Sequence, residues 1–84
     1  MVTDSVWKVF SIDVRHMPYV ELEVYGTITE GGGSHDEPFW RDVEITDIWS
    51  LDQHRRVSWR IYKYLMDKYQ SYFEQELLDE YDRW

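Results

Sequence analysis

Tyr19-Val20-Glu21-Leu22-Glu23-Val24-Tyr25-Gly26-Thr27-Ile28 alternates between apolar and polar side chains. Successive side chains of an extended chain point to opposite faces. Val20, Leu22, Val24 and Ile28 therefore share one face, and Glu21, Glu23, Tyr25 and Thr27 the other. This is the pattern of a strand half-buried against a core, with Gly26 as the place where a bulge is expected.

The neighbouring stretches extend the same reading. Upstream, Val6, Phe10, Ile12 and Val14 share a face opposite Ser11 and Asp13, while Trp7 and Val9 interrupt the polar side. Arg15-His16-Met17-Pro18 breaks that run, and Pro18, which has no backbone donor, suits a turn. Downstream, Glu30 to Pro38 holds three glycines and a proline in nine residues, the composition of a flexible loop. From Phe39 to Trp49, Val43 and Ile45 alternate with Asp42, Glu44 and Thr46. The alternation slips near Asp47-Ile48, which points to a bulge or a strand end.

Beyond Leu51 there is no glycine or proline, and the period changes. Ser50 or Asp52 is the expected cap of a helix. At 100° per residue, Ile61, Tyr62, Leu65, Met66, Tyr69, Tyr72 and Phe73 form one broad face, with Trp59, Leu77 and Trp84 at its edge. Tyr64 and Leu78 fall off that face, and Tyr81 lies near its edge. A continuous helix of roughly 30 residues would be about 45 Å long, more than a small three-stranded sheet is expected to cover. The predicted fold is α+β in a single domain spanning 1–84. It is a three-stranded antiparallel meander (strands about 5–14, 19–29 and 39–49) with a glycine-rich loop at 30–38. One long C-terminal helix, about 52–82, packs on the apolar face.

Composition narrows the function. The chain has 84 residues, with 43% hydrophobic and 18% aromatic side chains, too apolar for a disordered acidic tail. The absence of cysteine removes disulfides, thiol nucleophiles and Cys-based zinc sites. No apolar run reaches the length of a membrane span and no signal-peptide pattern opens the chain, so a soluble cytoplasmic protein is expected. A net charge of −8 makes a phosphate-tracking nucleic-acid binder an unfavourable reading. No G-x-S-x-G, P-loop, H-E-x-x-H or G-x-G-x-x-G occurs, so neither catalytic residues nor a cofactor is expected. Of the three histidines, only His35 has neighbours of metal-ligand type, Asp36 and Glu37. A glycine-rich loop does not hold ligands at fixed angles, so no metal site is expected there either.

Charge layout points instead to a protein partner. Acids outnumber bases ten to three over residues 1–51 but only seven to six over 52–84. Glu21, Glu23, Asp42 and Glu44 lie on the polar faces of two strands expected to be neighbours, with Tyr25 among them. Such a face can solubilise a small domain, or dock a basic patch on another protein with Tyr25 as an anchor. The helical half is charged in blocks, +4 from Arg55 to Lys68 and −4 from Glu74 to Trp84, against the preference of the helix dipole. The basic half would then neutralise the acidic strands, or two helices would pair antiparallel in a homodimer. In such a dimer Arg55, Arg56 and Arg60 would approach the partner's acidic end, and Tyr64, Leu78, Tyr81 and Trp84 would supply contact area.

The run Val43-Glu44-Ile45-Thr46-Asp47-Ile48-Trp49, followed by the long charged segment Asp52 to Trp84, resembles in style the small acidic accessory proteins of tailed phages, including host-takeover and anti-defence proteins. That resemblance implies an inhibitor or adaptor acting on a host protein in the host cytoplasm. It carries no catalytic or binding residue with it. A self-associating structural or assembly protein is the alternative, and a small metal-dependent regulator or enzyme the third reading.

Overall fold

The computed structural model describes residues 1–14 and 17–83. Strands β1 (Val2–Val14), β2 (Met17–Gly31), β3 (Trp40–Ser50) and β4 (Arg55–Arg56) form one antiparallel sheet in chain order, followed by one helix, α1 (Trp59–Asp82). The α+β arrangement of an antiparallel sheet under a C-terminal helix is as expected. The sheet has a fourth, two-residue strand that was not. The expected turn at residues 15–18 and the surface position of His16 lie wholly or partly outside the described residues, as does Trp84, although Met17 and Pro18 already belong to β2.

Alternation correctly assigns the sheet faces. Val6, Phe10, Ile12, Leu22, Val24, Ile28, Ile45 and Ile48 are buried on the face that α1 covers. The irregularity foreseen in β2 and β3 is one feature. Tyr25 pairs with Asp47 but Gly26 with Ile45, leaving Thr46 as the extra residue of a bulge in β3. The extra residue moves the inward positions of β3 from Val43 and Ile45 to Ile48 and Ser50. Gly26 is needed there for room. A Cβ would lie 2.7 Å from the Glu44 carbonyl oxygen and 2.9 Å from Leu77 Cδ1. Gly26→Ala is therefore expected to cost about 1–3 kcal/mol by overpacking, read from urea denaturation. A loss below about 0.5 kcal/mol, the range of surface substitutions, would show that β3 moves aside freely.

Three expectations about the C-terminal half are corrected. The helix starts at Trp59, not near 52, and Arg55 and Arg56 are in β4. Ser50 does act as a cap, but of a turn, its Oγ accepting from the Gln53 N–H at 3.3 Å. The helix is capped by Ser58, which accepts from Ile61 N–H at 3.4 Å. The helix is also rotated from the expected setting. Leu65, Phe73 and Leu77 are fully buried, and Tyr62, Tyr64, Met66, Tyr69, Leu78 and Tyr81 pack partly buried around them. Ile61 and Tyr72, expected on the buried face, are 41% and 49% exposed. Finally, the helix is not too long for its sheet. Its 24 residues span about 36 Å, while the 13 and 15 residues of β1 and β2 span about 43–50 Å.

Residues 32–39 join β2 to β3. They form a loop, as expected, within which the Gly33 N–H donates to the Glu37 carbonyl at 3.0 Å and the Glu37 N–H to that of Ser34 at 3.4 Å. Gly32 has φ 76°, which a side chain would rarely adopt, and a Cβ there would meet the Pro38 carbonyl.

Two ion pairs join the helix to the sheet. Lys8 Nζ is 2.6 Å from Glu76 Oε2, and Arg41 Nη2 is 2.7 Å from Asp82 Oδ1. The acidic half of the helix thus neutralises the few bases of the sheet. The expectation that the basic half neutralises the acidic strands is met by one pair, Arg56 with Asp47 at 3.0 Å, while the pairing of the acidic end with Lys8 and Arg41 gives the unusual order of charge along the helix a local cause.

Candidate functional site

The face of the sheet turned away from α1 carries no second layer among the described residues. On β1 it presents Trp7 and Val9, on β2 Glu21, Glu23 and Tyr25, and on β3 Asp47 and Trp49. Register sets these in rows: Trp7 opposite Tyr25 opposite Asp47, and Val9 opposite Glu23 opposite Trp49, which in turn faces Arg56 of β4. Trp7 is 50% exposed, Val9 43% and Trp49 37%. Exposed indole, phenol and aliphatic groups thus lie beside carboxylates on this face.

Asp47 organises one side of this face. Its carboxylate accepts from the Ile48 N–H at 2.9 Å, from Trp49 Nε1–H at 2.8 Å and from Arg56 Nε–H at 3.0 Å. The indole of Trp49 is thereby held at the surface, and the Arg56 guanidinium lies 5.9 Å from the centre of the same ring. The bulge at Thr46 makes this possible, because it brings Asp47 and Trp49 to the open face. The face thus already holds one arginine, stacked on an indole and bonded to a carboxylate.

The residues expected from sequence to form a single acidic surface are only partly brought together. Glu21, Glu23 and Tyr25 do share the open face. Asp42 and Glu44 are on the same face but pair with Thr29 and Thr27, four to six residues along β2 from Glu23, and no acid faces an acid across the strands. Sequence reasoning missed Trp7, Val9, Trp49 and Asp47 as members of the site. The signal was present as the apolar residues that interrupt the polar side of β1.

The residues assigned to a helix-mediated contact divide between the two ends of the molecule. Arg55, Arg56, Arg60 and Tyr64 line a groove at the start of α1. Leu78 and Tyr81 lie at the far end, partly buried against the core. There the Tyr81 hydroxyl is 2.7 Å from Asp4 Oδ2 and 2.9 Å from Glu30 Oε1, and these two carboxylates push its pKa well above that of an ordinary phenol. Arg41 completes the cluster, bonding both oxygens of Asp82 and one of Glu30.

The Arg41 guanidinium holds the Asp82 carboxyl below the ordinary aspartate value of 3.8. A lowered folded-state pKa contributes stability that is complete above the unfolded value and is lost as pH falls through the folded one. Arg41→Leu should therefore lower the melting temperature at pH 5, and the gap to the parent chain should close as pH is taken well below 3.8. A gap that does not change between pH 5 and pH 2 would show that Arg41 acts by packing alone.

Among the described residues, no group of three or more His, Asp or Glu side chains is placed to hold a metal ion. No helix among them is long and apolar enough to cross a membrane. No protein-family model, curated protein or solved structure matches the chain.

Proposed function

We propose that this chain is a non-enzymatic protein-binding module, an inhibitor or adaptor, which docks a basic surface of its partner onto the open face of the sheet. The observation that carries this reading is the uncovered row of Trp7, Val9, Tyr25 and Trp49 with Glu21, Glu23 and Asp47 between and beside them. Indole faces attract guanidinium and ammonium groups, and neighbouring carboxylates fix their orientation. Arg56, stacked on Trp49 and bonded to Asp47, is an internal example of that recognition. The same carboxylates repel phosphate, which disfavours nucleic acid on an otherwise suitable aromatic platform.

A self-associating helix is less well supported than the sequence implied. The excess helix length is gone, and Leu78 and Tyr81 are engaged within the chain.

The test is capture of a binding partner by the parent chain and by Trp7→Ala, Glu23→Lys and Ile61→Ala in parallel. A partner that uses the open face should bind Trp7→Ala about 30-fold or more weakly, the loss of about 2 kcal/mol typical of an interface anchor. It should lose affinity for Glu23→Lys in a salt-dependent way and be indifferent to Ile61→Ala. A partner that holds the first two variants as tightly as the parent refutes this reading.

A further inference from the structure

The start of α1, the start of β2 and the segment from Ser50 to Ser58 enclose a groove of about 780 Å³. Its apolar walls include Val20, Leu22, Val57, Ile61 and Leu65. Leu22 and Leu65 are fully buried at its base, while Ile61 is left 41% exposed at its margin. In a chain of net charge −8, this groove is lined, among the described residues, by three arginines and one acid, Asp52. Arg56 is committed to Asp47 and Trp49 on the other side of the sheet. Arg55 bonds only the neutral side-chain oxygen of Gln53, at 3.0 Å, and Arg60 makes no ion pair among the described residues. The first turn of the helix contains no acidic residue, so the helix itself places no carboxylate at its positive end.

We propose that this groove binds an amphipathic carboxylate, a molecule with a medium-length alkyl or acyl body and one anionic end. The volume is that of a small-molecule site, and it combines apolar walls with a few polar groups at its lining. The body displaces water from Val20, Val57 and Ile61. The carboxylate pairs with Arg55 and Arg60, whose planar guanidinium groups match it in geometry as well as charge. Asp52 opposes it with a single charge and sets a preference for one anionic group rather than two. Arg56 borders both this groove and the open sheet face, whereas Arg55 pairs in register with Ser50 on the helix side.

Calorimetric titration of the full chain with decanoate, below its micelle concentration, tests this. Saturable binding at one site is expected, with decyltrimethylammonium, the same body bearing the opposite charge, binding at least about tenfold more weakly. The double variant Arg55→Ala/Arg60→Ala should also bind decanoate about tenfold or more weakly, the scale of losing charge-assisted hydrogen bonds. Trp7→Ala should bind it as the parent does. Backbone amide shifts on titration should concentrate at Val57–Leu65. Absence of saturable binding, equal affinity for the two amphiphiles, unchanged affinity in the double variant, or shifts centred on Trp7 and Trp49 would each overturn the proposal.

Discussion

Phe73→Ala is expected to destabilise the chain by about 3–5 kcal/mol, the largest single-residue effect in the fold. Phe73 is fully buried at mid-helix and meets the edge of Phe10 with ring centres 4.8 Å apart. Tyr69 and Tyr72 stand 5.8 Å and 6.1 Å from it, and Tyr72 also meets Phe10 at 5.6 Å. These four rings join α1 to β1, so truncating the central one removes both its own burial and the edge contacts of its neighbours. A small domain is stable by only about 5–15 kcal/mol, so the variant sits close to unfolding at room temperature. Phe73→Leu keeps most of the volume and should cost roughly 1.5 kcal/mol or less. Urea denaturation followed by far-UV dichroism measures both. If alanine and leucine cost the same, Phe73 is not the centre of the helix–sheet contact.

The setting of that ring was not legible in the sequence, for a definite reason. Between Trp59 and Tyr81 large apolar side chains occupy most of the helix circumference, so period alone admits several rotations. Leu77 is buried and Tyr72 half-exposed, although the period puts Tyr72 on the broad apolar face and Leu77 at its edge. The helix start was ambiguous in the same way. Ser50 and Ser58 each accept from an N–H three residues on, and the local chemistry of a turn cap and a helix cap is identical.

Sheet faces were legible because a one-residue error would turn Leu22 and Val24 to solvent. Register was not. Alternation says which residues share a face but not which stand side by side. The pairing that ends at Gly31 and Trp40 separates Glu21 and Glu23 from Asp42 and Glu44. The candidate site was therefore legible in sign and blurred in place. Its acids were recognised, whereas Trp7 and Val9 read as defects in an amphipathic strand. They are defects only if the second face has no function.

Adjacent positions of β2 give the sharpest check on these face assignments. Leu22→Ala should cost about 2–4 kcal/mol, while Glu23→Ala and Tyr25→Ala should stay within about 0.5 kcal/mol of the parent. Leu22 pairs with Phe10 and Ser50 in register, points to the helix side and is fully buried. It also forms part of the groove, so the space left by truncation is continuous with an existing opening. Water can enter that space more readily than a sealed void, which places the expected cost below that of Phe73, whose surroundings are closed. Glu23 and Tyr25 lie on the opposite side, where no helix packs, and their removal uncovers no core. Their effect should appear in partner binding instead, through the charge and the aromatic surface they contribute. Thermal and urea unfolding of the three variants decides between the two faces. An inverted order, with Tyr25→Ala costing more than Leu22→Ala, would mean that α1 covers the acidic face. The docking surface proposed here would then be its core.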